Sequence, residues 1–160
     1  MTITFTPAAE ADLPQLLALA RTASQAPGSH WDDSYPDRAI LLGDIERRGL
    51  YRVLCGGAPL GMIAMGHLEE LQDLAWPTAD ENACELSRLC LHPDCQGRGL
   101  LGAVLTQALE YGRSLGYRTF RLLVSTDFGR IIRVYERCGF SRVGQVHLWG
   151  GDYFQYELHR

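Results

Sequence analysis

The stretch Gln96-Gly97-Arg98-Gly99-Leu100-Leu101-Gly102 lies between an apolar run typical of a β-strand, residues 84–91, and an amphipathic run typical of a helix, residues 100–115. A glycine-rich turn that opens a helix leaves several backbone N–H groups without an intrahelical partner and points them, with the helix dipole, at one place. Such a place suits a phosphate or a pyrophosphate. We therefore predict that residues 96–102 hold a phosphorylated cofactor.

Two classes of cofactor fit this turn. The glycines match G-x-G-x-x-G, the dinucleotide pattern, and Asp127 follows the next predicted strand at roughly the offset of about 20 residues that this pattern expects. The turn also resembles Q-x-x-G-x-G/A, the pyrophosphate loop of acyl-CoA-dependent N-acyltransferases. Gln96 and Gly99 fit that loop, whereas Leu101 stands where glycine or alanine is usual. The turn alone does not decide between the two.

Length and composition predict one globular domain over residues 1–160, with 46% hydrophobic and 21% charged residues. No apolar run approaches the roughly 18 residues of a membrane span, and residues 1–20 lack the basic start of a signal peptide. The five cysteines are odd in number and form no C-x-x-C pair, so neither a disulfide framework nor a metal site is expected. These features favour a cytoplasmic protein without a membrane partner.

Charge is distributed unevenly along the chain, whose net charge is −4. Residues 1–83 carry 5 Arg against 12 Asp and Glu, while residues 84–160 carry 10 Arg against 7. The basic half contains the glycine turn, as an anionic cofactor would favour, and the acidic half favours a cationic partner, although either half can simply be solvated surface. A pI near 5.7 without a basic stripe argues against nucleic acid.

The order of predicted elements is βααββ-βα-βα-ββ. The predicted strands are residues 2–6, 50–55, 60–66, 84–91, 118–125, 140–148 and 153–158, and the predicted helices start at residues 12, 36, 100 and 130. Residues 69–82 are predicted to be a loop. A dinucleotide fold requires repeated βαβ units, so two hairpins in this order argue against that cofactor.

At this point the chain resembles the GNAT superfamily of acyl-CoA-dependent N-acyltransferases, from residue 1 to about residue 158. Residues 89–99, Leu-Cys-Leu-His-Pro-Asp-Cys-Gln-Gly-Arg-Gly, resemble its central strand and cofactor loop. Residues 135–140, Tyr-Glu-Arg-Cys-Gly-Phe, resemble its Y-E-x-x-G-F signature. Residues 31–36 also resemble a bacterial subgroup that carries W-x-x-x-Y-P.

The resemblance implies an α/β GNAT fold, with a mixed, mostly antiparallel central sheet flanked by helices and splayed at the central cofactor-binding strand. It implies direct transfer of an acetyl group from acetyl-CoA to a primary amine of a small molecule, and it leaves room for a homodimer. Phe128 departs from the family, which usually has a polar Asn there, and Ile131 replaces a usual Ala. The implied cofactor residues are Leu89, Cys90, Leu91, Gln96, Gly97, Arg98, Gly99, Leu100, Leu101, Gly102, Phe128 and Ile131.

Two residues are implied to be catalytic. Tyr135 resembles the general acid that protonates the coenzyme A sulfur, although it also lies on an apolar helix face and could be a packing residue. Glu85 resembles the general base, or is a carboxylate in solvent or paired with Arg88. His67 and Glu69 are the alternative bases.

The implied acceptor residues combine aromatic rings with carboxylates, a combination that holds cations. They are Trp31, Tyr35, Glu69, Glu70 and Trp76. Loop anchoring and solvation are the alternative roles for these side chains. Two rival functions remain at this point, a non-catalytic acyl-CoA-binding or sensory domain and a nucleotide-binding oxidoreductase.

Overall fold

The computed structural model describes residues 2–160, apart from the side chains of residues 69 and 70. Its helices are α1 Leu13–Ala23, α2 Arg38–Glu46, α3 Glu69–Gln72, α4 Leu100–Ser114 and α5 Gly129–Arg137. Its strands are β1 Ile3–Pro7, β2 Leu50–Cys55, β3 Ala58–Gly66, β4 Cys84–Leu91, β5 Thr119–Ser125, β6 Ser141–Leu148 and β7 Gly151–His159. The predicted elements are confirmed within a few residues, but the prediction of a loop over residues 69–82 is wrong at its start, where α3 forms.

The seven strands form one sheet in the order β1-β2-β3-β4-β5-β7-β6. All neighbours are antiparallel except β4 and β5, which run parallel. Among the described residues, β4 and β5 pair only at Cys84 with Phe120 and at Glu85 with Arg121. The two strands diverge beyond that point, so the predicted splay at the central strand is confirmed.

Helices cover both faces of the sheet. On one face α4 and α5 pack through Leu105, Leu109 and Ile132 against Leu86 of β4 and Leu122 of β5. On the other face the buried cluster joins leucines of α1 and α2 to residues of β2, β3 and β4. Both faces of β4 therefore carry buried side chains.

A β-bulge interrupts β4 at Arg88. The register on β3 shifts between Met62, opposite Cys90, and Ala64, opposite Ser87. Arg88 has a φ of 48°, the left-handed region that non-glycine residues rarely adopt. Leu86 and Leu89, on either side of the bulge, pack in the same cluster, so the bulge breaks the alternation of faces along β4.

The chain offers neither a membrane-spanning helix nor a metal site within the described part. No helix of residues 2–160 is both long and apolar enough to cross a bilayer. Among the side chains that the structure describes, no three His, Cys, Asp or Glu groups could hold one metal ion.

Candidate active site

A cleft of about 1230 Å³ opens where β4 and β5 diverge. Its walls come from the second half of β4, the end of β5, the glycine turn, the start of α4 and one face of α5. The cleft therefore lies at the splay in the sheet and at the N-terminus of α4. All the predicted cofactor residues line it except Arg98, which is exposed and is not among its lining residues in the described structure.

The glycine turn adopts a backbone that only glycine takes without strain. Gly97 has a φ of 77° and Gly99, the N-cap of α4, has a φ of 69°. A Cβ atom built on either residue would meet no described atom within 4 Å. The side-chain amide of Gln96 donates to the Leu91 carbonyl at 3.3 Å and so fastens the turn to the end of β4. The open space beside these N–H groups fits a pyrophosphate.

Close packing fixes the opposite edge of β4. A Cβ atom on Gly61 of β3 would lie 2.1 Å from the Cys90 carbonyl oxygen, so only glycine fits there. The edge of β4 that faces β5 carries no ladder pairing over the described residues 86–91. Backbone groups along that edge are consequently available to a ligand that enters the cleft.

Tyr135, on α5, lines the cleft and also packs against the hydrophobic core. Its ring lies edge-on to Phe140 with centroids 5.9 Å apart. Burial, and secondly the neighbouring Cys138, raise the pKa of Tyr135, so the phenol keeps its proton across the usual assay range. No described residue hydrogen-bonds to the hydroxyl. A partly buried, protonated phenol that lines a cleft can donate a proton to a ligand.

The other catalytic candidate lies elsewhere. Glu85 is only 5% exposed and lies in register with Gly66 and Arg121. It is not among the described residues that line the cleft, which begins one residue later at Leu86. His67, an alternative base, is exposed and its ring nitrogen lies 3.0 Å from Asn82.

The predicted acceptor residues divide between two places. Trp31 and Tyr35 line the cleft. Trp76 instead packs under the guanidinium of Arg121, whose Cζ atom lies 5.2 Å from the centroid of the Trp76 ring. The Trp76 indole N–H donates to the Leu71 carbonyl. Trp76 is not among the described lining residues, because that stacking holds it against β5. The predictions for Glu69 and Glu70 concern side chains that lie outside the described part of the chain.

An aromatic cluster at one end of the cleft was not predicted. Tyr35 lies 6.4 Å from Trp31 and 6.4 Å from Trp149, and Trp149 lies 5.6 Å from Tyr153, all between ring centroids. Trp149 sits in the β6–β7 turn with a φ of 51° and is 63% exposed. A tryptophan just before the Gly-Gly of a predicted hairpin was the available signal in the sequence. We call Trp31, Tyr35, Trp149 and Tyr153 the aromatic cluster.

A buried ion pair beneath this cluster was also missed. Arg88 and Asp44 are 4% and 1% exposed. The guanidinium of Arg88 donates to both carboxylate oxygens of Asp44, from Nη2 at 2.7 Å and also from Nε. Its Nη1 donates to the Tyr35 hydroxyl at 3.0 Å. The bulge in β4 places Arg88 toward α2, so this pair positions one ring of the cluster.

Comparison with known proteins decides the family. The model of the Acetyltransferase (GNAT) family matches residues 14–140. The chain belongs to the GNAT acetyltransferase family. This confirms the resemblance in the sequence and leaves the dinucleotide-binding alternative without support.

Individual curated proteins match only part of this chain. A mycothiol acetyltransferase from Actinosynnema mirum is 34% identical over 98 residues, which are 61% of this chain and 31% of the relative. The chain spans less than half the length of the curated relatives it matches, 44% and 31%.

Solved GNAT structures agree in fold. One from Streptococcus agalactiae has a TM-score of 0.78 and 20% identity, covering 99% of this chain and 95% of its own. The PaiA N-acetyltransferase from Thermoplasma acidophilum, solved in complex with coenzyme A, has a TM-score of 0.74 and 19% identity, covering 100% of both chains. At these identities the likeness confirms the GNAT fold.

Proposed function

We propose that this protein transfers an acetyl group from acetyl-CoA to a primary amine of a small molecule. The observation that carries the proposal is one cleft that brings together the glycine turn, the open edge of β4 and the protonated phenol of Tyr135. GNAT membership and the coenzyme A complex of the PaiA relative support acetyl-CoA as the donor. Direct transfer in a ternary complex needs these parts and no covalent intermediate on a cysteine.

Acetyl-CoA, the acetyl donor, fits the end of the cleft that the glycine turn lines. Backbone N–H groups of residues 97–102 would hold the pyrophosphate, with Arg98 adding charge nearby. The open edge of β4 at Leu89, Cys90 and Leu91 would pair with the pantetheine arm and polarise the thioester carbonyl. Phe128 and Ile131 line the cleft and would give the pantetheine arm an apolar wall. At Phe128 this wall replaces the side-chain amide of the Asn that the family usually has there.

Tyr135 would supply the proton that the departing thiolate needs. Its hydroxyl donates to the sulfur as the carbon–sulfur bond breaks, and solvent or the acceptor nitrogen returns a proton to the phenolate afterwards. Because burial raises the pKa of the Tyr135 phenol, the hydroxyl is protonated at neutral pH and can act as the proton donor.

The aromatic cluster would receive the acceptor. Ring faces attract an ammonium group, most strongly where the pair is shielded from water. Asp32 lines the same end of the cleft and adds a carboxylate beside Trp31. The proposed acceptor site contains Trp31 and Tyr35, as the sequence predicts, together with Trp149 and Tyr153. Trp76, which was also predicted, is not part of it. Its position between a loop and a hairpin turn favours a small molecule.

Release of free thiol from acetyl-CoA tests the proposal. The purified protein is assayed with a panel that contains 2-phenylethylamine, tyramine, spermidine, free amino acids and a peptide with a free N-terminus. Thiol release that depends on a small primary amine supports the proposal, and a preference for the peptide overturns the small-molecule part. Binding of acetyl-CoA with no thiol release for any amine would instead support the rival acyl-CoA-binding domain, which the apolar Phe128 leaves open.

A further inference from the structure

His30 is held at the acceptor end of the cleft by two strands and a turn. Its Nδ1 lies 3.2 Å from the Tyr153 hydroxyl of β7, and its Nε2 lies 3.1 Å from the Ser125 hydroxyl of β5. The same Nε2 lies 3.3 Å from an Asp127 carboxylate oxygen in the turn after β5. A Cβ atom on Gly151 would lie 3.0 Å from the ring. His30, Ser125 and Tyr153 all line the cleft.

These contacts fix the direction of the hydrogen bonds. An ionised carboxylate only accepts, so the proton of a neutral His30 ring lies on Nε2, toward Asp127. Nδ1 then accepts a hydrogen bond from the Tyr153 hydroxyl. Burial raises the pKa of Tyr153, which keeps that phenol protonated and able to donate. The chain Tyr153 to His30 to Asp127 therefore runs from the cleft toward a carboxylate.

The Tyr153 hydroxyl lies where the acceptor amine is proposed to bind. The ring belongs to the aromatic cluster, 5.6 Å from Trp149 between centroids. No second described residue hydrogen-bonds to its oxygen, so a lone pair is left to accept from a ligand. Glu85, by contrast, is absent from the described lining of the cleft.

We propose that Tyr153 and His30 form a proton relay that deprotonates the acceptor ammonium, an inference that rests on the proposed acetyl transfer. One ammonium proton passes to the Tyr153 oxygen while the Tyr153 hydroxyl proton passes to Nδ1 of His30. The amine keeps the N–H electron pair, attacks the thioester carbon and displaces the thiolate, which Tyr135 protonates. The imidazolium, facing Asp127, then releases its proton to solvent.

The relay has a defined pH dependence. The titratable groups that face His30 in the described structure are Asp127 and Tyr153, and Ser125 adds a neutral hydroxyl. The relay acts only on an acceptor that arrives as an ammonium, so its contribution to kcat/KM should decrease as pH rises and the amine binds in its neutral form.

Kinetics of three variants test the relay. With the best amine of the panel, H30N and Y153F should each lower kcat/KM at pH 7 by roughly 10²- to 10⁴-fold, the usual contribution of general acid–base catalysis. The loss should shrink as pH rises, because the amine then arrives neutral. With 2,2,2-trifluoroethylamine, which is mostly neutral at pH 7, both variants should resemble the parent. H147N is the matched control, since His147 forms an exposed pair with Asp152 at 2.8 Å outside the described lining.

Several results would overturn the relay. Parent-like kcat/KM in H30N and Y153F, or a loss that is equal for both amines and at every pH, assigns His30 a structural role only. No turnover of any amine by the parent refutes the proposed function together with the relay. A readout without substrate is the ¹⁵N spectrum of the free protein. It should show the Nε2–H tautomer for His30 and a changed Nδ1 resonance in Y153F, and an Nδ1–H tautomer excludes the relay whatever the kinetics show.

Discussion

At the scale of single residues, the described structure separates two tyrosines in one cleft by their surroundings. Tyr135 lies against Phe140 on α5, and burial raises its pKa with no hydrogen-bond partner at its hydroxyl among the described residues. Tyr153 is bonded to His30 and belongs to the aromatic cluster. These surroundings fit the two proposed roles, proton donor to the thiolate for Tyr135 and proton relay for Tyr153.

Replacement of Tyr135 by Phe tests the first of these roles. The ring and its contact with Phe140 stay, and only the proton donor is lost, so kcat should fall by roughly 10²- to 10⁴-fold while the Kd of acetyl-CoA changes little. Steady-state thiol release and calorimetric binding measure the two quantities. Y111F, at a partly buried tyrosine outside the described cleft lining, serves as the control. An unchanged kcat in Y135F would make Tyr135 a packing residue.

The Arg88–Asp44 pair gives a second prediction at this scale. D44N leaves a buried guanidinium without its counter-charge, so the free energy of unfolding should fall by about 3–5 kcal/mol. The double variant R88M/D44L replaces both charges by apolar groups and should recover most of that loss. Urea unfolding measures both. A loss below about 1 kcal/mol in D44N would show that solvent reaches the pair and screens it.

At the scale of elements, the glycine turn couples a strand end to a helix start. Gly97 and Gly99 adopt left-handed backbone, and the space that their missing Cβ atoms leave is open to the cleft. The N-terminus of α4 thus presents N–H groups to a ligand without a side chain in the way. This geometry predicts that a side chain at Gly99 affects ligand binding beyond its effect on folding.

G99V and G116V separate those two effects. Gly116 has a φ of 100° and no described atom within 4 Å of its Cβ position, but it is absent from the described cleft lining. Both substitutions force a β-branched residue into left-handed backbone and should destabilise the fold to a similar extent. Acetyl-CoA at about 100 times its Kd should add about 2.7 kcal/mol to the parent and to G116V, or a Tm rise of about 5–10 °C. G99V should lose this rise. An equal rise in G99V, or a larger rise with NAD, would contradict the assigned cofactor site.

The elements were largely predictable because their signals are local. The β4 run, the glycine turn and the α4 periodicity each fit within about 15 residues, and their boundaries are confirmed. The bulge at Arg88 has no such local signal, since an arginine inside an apolar strand gives no sign of left-handed backbone. Asp44, some 44 residues earlier, supplies the partner that makes this conformation tolerable.

At the scale of the whole molecule, the end of the cleft where the acceptor is proposed to bind is assembled from distant parts of the chain. The loop after α1, the end of β5 and the β6–β7 turn meet there. Trp31 and Tyr35 were expected there from the family resemblance. The Gly-Gly hairpin turn gives a local sign of Trp149 only, whereas nothing local in the sequence connects Tyr153 or His30 with this place. Trp76 was expected at the acceptor from the same resemblance. Its stacking on Arg121 is a contact between the loop after α3 and β5, which no local pattern in the sequence encodes.

Buried thiols on β4 predict how the stability of the whole fold depends on pH. Burial raises the pKa of the Cys84 thiol to about 12 and that of the Cys90 thiol to about 12. In the unfolded chain the pKa of a cysteine thiol is about 8.5. Because the folded-state pKa values are raised, their stabilisation is fully present below that pH and is lost as pH rises toward the folded values. Each thiol should steepen the decline by about 1.4 kcal/mol per pH unit, since the unfolded state then binds fewer protons.

Urea unfolding under reducing conditions, from pH 8 to 10.5, measures that decline in the free energy of unfolding. C90A removes one of the two buried thiols, so its free energy should fall less steeply with pH than that of the parent, whatever its value at pH 8. Identical slopes for the parent and C90A would mean that the Cys90 thiol ionises within the folded protein, and hence that water reaches this segment of β4 from the cleft.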